Sequence, residues 1–326
     1  YGFSAGAHIY FLTRMPSPKI IAQSFAEIKP RVISCVPLIV EKIIKKDILP
    51  RVDSKIGKLL LKVPIVNDKI KSLARQAAME IFGGNFDEII IGGAPFNAEV
   101  EAFLKKIGFP YTIAYGMTEC GPILSYAGWE TFKKGSCGRA APRMQLKIDS
   151  PDPAHIVGEI LAKGDNLMIG YYKNEAATHA AFTPDGWLRT GDLGLIDEEG
   201  NLFIKGRSKN MILGPSGQNI YPEEIESIIN NFRFVNESLV VENSGKLVAM
   251  VHFNMEELEK QYQKLKDQAG NYKEKINDYI EEQKQELRDY VNARVNNFSK
   301  LQLVLVQHEP FEKTPTHKIK RFLYCK

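Results

Sequence analysis

The segment Ile204–Glu226 cannot form one continuous element, because Gly206, Gly214, Pro215, Gly217 and Pro222 interrupt it and these residues break helices and strands alike. It reads as a strand ending near Ile204, a charged joint through Arg207 and Lys209, a short apolar strand at Met211–Leu213, a turn at Gly214–Gly217, and a helix opened by Pro222. Proline suits a first helical position, and Glu223, Glu224 and Glu226 favour the positive end of a helix. The chain before this joint and the chain after it differ in texture, so the joint divides two domains. An exposed hairpin with solvated charges is the plainer reading of the same residues, and a hinge is the sharper one.

Before the joint, the pattern starts as strand and helix in alternation. His8–Leu12 is strand-like. Pro18–Ile28 carries Ile20, Ile21, Phe25 and Ile28 on one helical stripe. Val32–Val36 predicts a short buried strand, and Pro37 opens a helix to about Lys46. A helical stretch with poorly defined ends covers Lys55–Ile81. Glu88–Ile91 predicts a buried strand running into Gly92-Gly93-Ala94-Pro95, and Asn97 caps a helix to about Ile107. Tyr111–Gly116 is a further strand that ends in a polar turn. This rhythm is that of a parallel sheet covered by helices, which places ligands at the carboxyl ends of strands.

From Gly138 to Lys205 the segments become short and alternating, with turns at Gly164-Asp, Pro184-Asp-Gly and Glu199-Gly-Asn. That spacing predicts a small antiparallel sheet or barrel. After the joint, Ser238–Val241 and Leu247–Phe253 pair around Ser244-Gly245, and Leu301–Val306 is a last strand. Between them residues 256–300 are helical. Leu258, Tyr262, Leu265, Ala269, Tyr272, Ile276 and Tyr279 recur at spacings of four and three. Gly270 divides the stretch into two helices, and ten acidic against nine basic residues make its outer face a balanced one. The stripe suits either a helical hairpin packed on its own domain or a coiled coil that binds a partner.

The predicted fold is therefore α/β. Part of a large α/β domain (1–136) leads to a small β-barrel-like subdomain (137–208) and then to a hinged α+β domain (209–326) with a helical insertion at 256–300. A net charge of +4 over 326 residues gives no concentrated basic patch for nucleic acid. Four scattered cysteines without a CxxC pair, and six dispersed histidines, argue against a zinc site or a disulfide framework and suit a reducing, cytoplasmic setting. No apolar run approaches the roughly 20 residues of a membrane span.

Four polar segments stand in one order: Tyr115-Gly-Met-Thr-Glu119, Thr190-Gly-Asp192, Gly206-Arg-Ser-Lys209 and Lys313-Thr-Pro-Thr-His-Lys318. Singly each is ordinary turn chemistry. Together they resemble the adenylate-forming enzymes, over nearly the whole chain. Ser216–Glu226, the helical insertion and the run to Arg321 resemble the long-chain fatty acid–CoA ligases in particular. The resemblance implies that a carboxylate attacks the α-phosphate of ATP, giving acyl-adenylate and pyrophosphate, and that CoA then displaces AMP. It places adenine on Tyr115, beside the close backbone of Gly92, Gly93 and Ala94 and next to Gly116. Thr118 serves a phosphate oxygen, and Glu119 is a hard ligand for Mg²⁺. Asp192 accepts from the ribose hydroxyls, with Arg207 in the same region. Lys318 neutralises charge at the α-phosphate. Lys209 matches the hinge position, and rotation there exchanges Lys318 for the Gly217 region between the two half-reactions. His317 stands where the family often has glycine. Two alternatives stay open: an adenylating ligase for another carboxylic acid, and a non-catalytic nucleotide-binding module. The resemblance leaves the chain length of the acid and the oligomeric state open, and leaves room for a peripheral membrane contact.

The Ser/Thr/Gly-rich loop ending in Pro-Lys-Gly, which in this family cradles the β- and γ-phosphates, has no counterpart in the sequence. The chain therefore reads as a portion of a longer enzyme. Alone it is expected to show little or no fatty-acid-dependent pyrophosphate release, and a turnover normal for the family would contradict that reading.

Overall fold

The computed structural model describes residues 6–11, 18–49, 64–265, 272–314 and 318–325. It divides into two compact units, one of Tyr1–Lys147, Ala162–Leu188 and Ile196–Phe203, the other of Ile148–Leu161, Arg189–Leu195 and Ile204–Lys326.

The first unit is built on a five-stranded sheet. β1 (Val32–Cys35), β2 (Glu88–Gly92) and β3 (Tyr111–Gly116) are parallel neighbours. β4 (Ile123–Tyr126) and β5 (Arg139–Ala140) continue antiparallel beyond β3. Ile33 pairs with Ile89, and Ile91 with Ile113. Ile89 and Ile91 are fully buried, as the central apolar run predicts. β1 corrects the expectation of a buried strand: Val32 is 57% exposed, because β1 is the edge of the sheet. His8–Phe11 also departs from the expected strand. It joins no ladder among the described residues, so its backbone has no strand partner to pair with, and Tyr10 and Phe11 are exposed. Leu12 lies outside the described residues.

Helices α1 (Pro18–Ile28), α2 (Pro37–Ile43), α3 (Pro64–Ile81) and α4 (Ala98–Ile107) accompany this sheet. Pro37 stands at the first turn as read, and α2 runs on through a π-helical turn at Ile44–Ile48. The part of the expected third helix before Pro64 lies outside the described residues. Asn97 caps α4, its Oδ1 accepting from the Glu99 and Val100 amides at 3.1 Å each. Phe25, Phe82, Phe86 and Phe109 interlock α1 and α3 with the loops leading into β2 and β3. Ring centroids lie 5.9 Å apart for Phe25–Phe82, 5.8 Å for Phe82–Phe109 and 5.5 Å for Phe86–Phe109. A short helix not anticipated from the sequence, α5 (Glu175–Ala181), is capped by Asn174.

The alternating segments form β6 (Met144–Asp149), β7 (Gly158–Gly164), β8 (Leu188–Ile196) and β9 (Leu202–Arg207), an open sheet in that order and not a closed barrel. β8 starts five residues before the expected Leu193.

The second unit holds a three-stranded sheet. β12 (Val235–Asn243) and β13 (Lys246–Phe253) form an antiparallel hairpin through Ser244-Gly245, and β14 (Leu303–Val306) joins β13 in parallel. A two-residue pair, β10 (Ile212–Leu213) and β11 (Asn219–Ile220), precedes α6 (Pro222–Ile229). Both faces of the three-stranded sheet are covered. On one, Val240, Ala249, Val251 and Val304 pack with Ile225 and Ile229 of α6, with Leu258 and Tyr262 of α7 (Met255–Leu265), and with Tyr279, Leu287 and Val291 of α8 (Tyr272–Asn292). On the other, Leu239, Val241 and Val248 pack with Phe311, Ile319 and Tyr324 of the C-terminal segment.

The described part of the four-and-three stripe is thus internal. Leu258 and Tyr262 are buried in this core, and the Tyr262 and Tyr279 rings meet at 5.5 Å. Arg233 ties α8 down further, its Nε donating to Gln283 Oε1 at 2.9 Å while Nη2 pairs with Glu286. The expected break at Gly270 lies outside the described residues. Among the described residues no helix is long and apolar enough to cross a membrane. Leu258→Ala should destabilise the second unit by about 2–5 kcal/mol, the cost of a buried leucine that leaves a cavity, measured as a lower midpoint in denaturant unfolding.

Candidate active site

Two groups of the expected residues lie each within one unit. In the first unit, β2 and β3 end side by side. Gly92 pairs with Ala114, so Gly92-Gly93-Ala94 and Tyr115-Gly116 leave the carboxyl edge of the sheet together, where α/β sheets place ligands. Tyr115 is buried at the end of β3, and Gly116 is exposed. Gly116 admits no side chain: a Cβ there would stand 1.7 Å from the Pro122 carbonyl oxygen. That close approach folds the 3₁₀ turn Thr118–Cys120 back on β3, with Thr118 exposed and Glu119 half-buried.

The turn is clamped by the segment 166–171. Asn166 Nδ2 donates to the Cys120 and Ile123 carbonyls. The Met168 amide donates to the Glu119 carbonyl at 2.7 Å. The Tyr171 hydroxyl donates to Glu119 Oε1 at 3.0 Å, and burial together with that carboxylate pushes the Tyr171 phenol up. Tyr171 is fixed in turn, its amide donating to Thr178 Oγ1 at 2.8 Å. Sequence reasoning missed Tyr171, and the usable signal was the Asn174 cap, which starts the helix that carries Thr178. Burial, with the Glu119 charge beside it, raises the Cys120 thiol to about 12. Burial alone does the same for Cys35, and burial with the Glu101 charge does so for Cys137. Cys325 is exposed, and all four cysteines are free.

In the second unit the structure joins two expected residues directly. Asp192, 6% exposed, pairs with Arg207 through Nε to Oδ1 at 3.0 Å. Thr190-Gly-Asp192 lies within strand β8 and not in a turn. Thr190 Oγ1 donates to the Ile160 carbonyl at 2.7 Å and accepts from the Asp192 amide at 3.1 Å. Gly191, at φ +69°, turns the strand locally. Its amide donates to Glu159 Oε1 at 3.1 Å, and its carbonyl accepts from Ser208 Oγ at 3.1 Å. Ser208 opens the 3₁₀ turn Ser208–Asn210, where Lys209 is exposed. Gly217, at φ +81°, closes the turn onto Gly214 with an amide-to-carbonyl bond of 2.9 Å. Lys318 is exposed and closes its own turn: the Thr314 amide donates to its carbonyl at 2.8 Å, and its amide donates to Thr314 Oγ1 at 3.2 Å. His317 lies outside the described residues.

The AMP-binding enzyme family covers residues 1–172, and the chain belongs to it. Over 215 residues it is 32% identical to the long-chain-fatty-acid–CoA ligase FadD15 of Mycobacterium bovis, a match spanning 66% of this chain and 34% of that protein. Over 198 residues it is 35% identical to the 2-succinylbenzoate–CoA ligase of Listeria innocua, spanning 59% of this chain and 41% of that one. The chain thus matches well under half the length of these curated relatives. Its fold is that of the o-succinylbenzoate CoA synthetase MenE of Bacillus subtilis, solved with the acyl-adenylate OSB-AMP. The TM-score is 0.72 at 23% identity, over 99% of this chain and 56% of that one.

Gly116→Ala should cost about 1–3 kcal/mol or more, the penalty of overpacking against rigid backbone. Thermal unfolding of the variant against the parent chain measures it.

Proposed function

We propose that this chain contributes to the ATP-dependent activation of a long-chain fatty acid. The acid's carboxylate attacks the α-phosphate of ATP and expels pyrophosphate, and the CoA thiol then attacks the acyl carbonyl and expels AMP. The observation that carries the reading is the Asp192–Arg207 pair at 3.0 Å. A carboxylate kept almost wholly buried and ionically held is preorganised to accept from two adjacent hydroxyls, which is what ribose offers. The 3.0 Å bond between Tyr171 and Glu119 supports it independently, since it fixes the carboxylate beside the strand ends.

The donor set suits Mg²⁺. Glu119 supplies one hard oxygen, and the described residues hold no group of three His, Cys, Asp or Glu side chains able to cage a metal. A cation that prefers one or two carboxylates, phosphate oxygens and water fits such a site. When bound it neutralises phosphate charge. Tyr115 and the Gly92-Gly93-Ala94 backbone take the adenine, Thr118 a phosphate oxygen, and Lys318 the charge that develops during attack at the α-phosphate. Lys209 is the pivot that carries Lys318 away and brings in the Gly217 turn for the CoA step.

Likeness to FadD15 and the helical pair α7 and α8 support a long aliphatic acid. A second reading, an aromatic acid of the succinylbenzoate kind, draws on the 35% identity to the Listeria enzyme. Pyrophosphate release measured across short, long and aromatic acids separates them, in a protein that carries the Pro-Lys-Gly loop upstream of this chain. Strongest release with long chains supports the first reading, and release with aromatic acids alone replaces it with the second. In the same protein Lys318→Ala should slow adenylate formation by roughly two to three orders of magnitude, as loss of a preorganised charge does. Thioester formation from pre-made acyl-adenylate should stay nearly unchanged. An equal loss in both steps would refute the exchange of surfaces.

A further inference from the structure

Lys318 is itself exposed, so something in the chain beside it, its stem, must hold the lysine in place. Three residues beyond it, Arg321 is largely buried, with 16% of its side chain exposed. Its Nη2 pairs with Glu226 of α6, and its Nη1 donates to the Val240 carbonyl of β12 at 3.1 Å. Glu226 Oε1 also accepts from the Val240 amide at 2.7 Å, so arginine, glutamate and strand backbone close one ring of bonds. A second carboxylate, Glu223 Oε1, stands 4.0 Å from Arg321 Nε and accepts from Asn210 Nδ2 at 2.5 Å. Burial raises the Glu226 carboxyl to about 7 even with Arg321, the largest opposing influence, pulling it down.

The same stem is bonded on its other side. Lys313 pairs with Glu237, and Lys313 and Ile319 form an antiparallel bridge across the lysine turn. The Lys320 amide donates to the Glu312 carbonyl at 2.8 Å. Of these anchors, Arg321 is the one that ties the stem to both the outer strand β12 and α6.

We propose that Arg321 is the positioning residue of this site: clamped between Glu226 and Val240, it sets the place of Lys318 without touching substrate. This rests on the reading that Lys318 serves adenylate formation. A guanidinium is needed because it bonds a carboxylate and a carbonyl at once in a fixed plane, which an ammonium does not.

The test uses the protein carrying the upstream phosphate loop, with the two half-reactions measured separately. Arg321→Gln should lower the kcat of adenylate formation about 10- to 100-fold. The KM for ATP and the rate of thioester formation from pre-made acyl-adenylate should each stay within about twofold. Arg321→Lys should recover only part of the loss. Should Arg321→Gln fail to fold, Glu226→Gln should lower adenylate formation about 3- to 10-fold with the same sparing of the thioester step. Equal falls in both half-reactions would mark Arg321 as merely structural and overturn the proposal. No fall beside a selective loss in Lys318→Ala would overturn it as well. If Lys318→Ala itself leaves adenylate formation intact, the reading beneath fails and the proposal with it. The lysine variant tells these two failures apart.

Discussion

A carboxylate with little access to water must be held by charge and hydrogen bonds, and the strand region around Asp192 is arranged to hold one. Removing such a group from water costs several kcal/mol unless it is paired. The pairing here requires Arg207 on β9 to reach back to β8 at 3.0 Å. It also draws in the neighbours. Thr190 bonds the Asp192 amide, Glu159 bonds the Gly191 amide, and Ser208 bonds the Gly191 carbonyl. The turn that follows Arg207 is thereby tied to the strand that carries the aspartate. A left-handed glycine and the start of the joint are both tied to the strand that keeps this charge inside.

The local punctuation was legible because its causes are local. Asn97 caps, Pro37 and Pro222 open helices, and Ser244-Gly245 turns a hairpin, each through chemistry confined to a few neighbouring residues. Which strand lies at an edge is not local. β1 carries an apolar run like that of β2, and only the sheet order leaves Val32 exposed. The four-and-three stripe was legible as a stripe, while its partner was not, since an internal core and a second chain demand the same spacing. Burial of Leu258 and Tyr262 in the unit's own core decides it.

The site residues split along the same line. The expected residues stand in contiguous motifs, and the structure pairs Asp192 with Arg207. Tyr171 and Arg321 were passed over because their partners are remote. Tyr171 meets Glu119 across 52 positions, and Arg321 meets Glu226 across 95. The Asn174 cap marks the helix that carries Thr178, but no residue near Tyr171 or Arg321 names the remote partner. In both cases the overlooked residue supports a recognised one: a hydroxyl beneath a carboxylate, a guanidinium beneath a lysine turn.

The thiols have a practical side. A sulfhydryl raised to about 12 is almost wholly protonated near neutrality and reacts slowly, because the thiolate is the nucleophile. Cys35, Cys120 and Cys137 are in that state, and Cys325 is exposed four residues after Arg321. The native sequence thus offers one accessible sulfur beside the stem of the lysine turn. A dye or spin label attached there would report on the surroundings of Arg321 with no cysteine added to this chain.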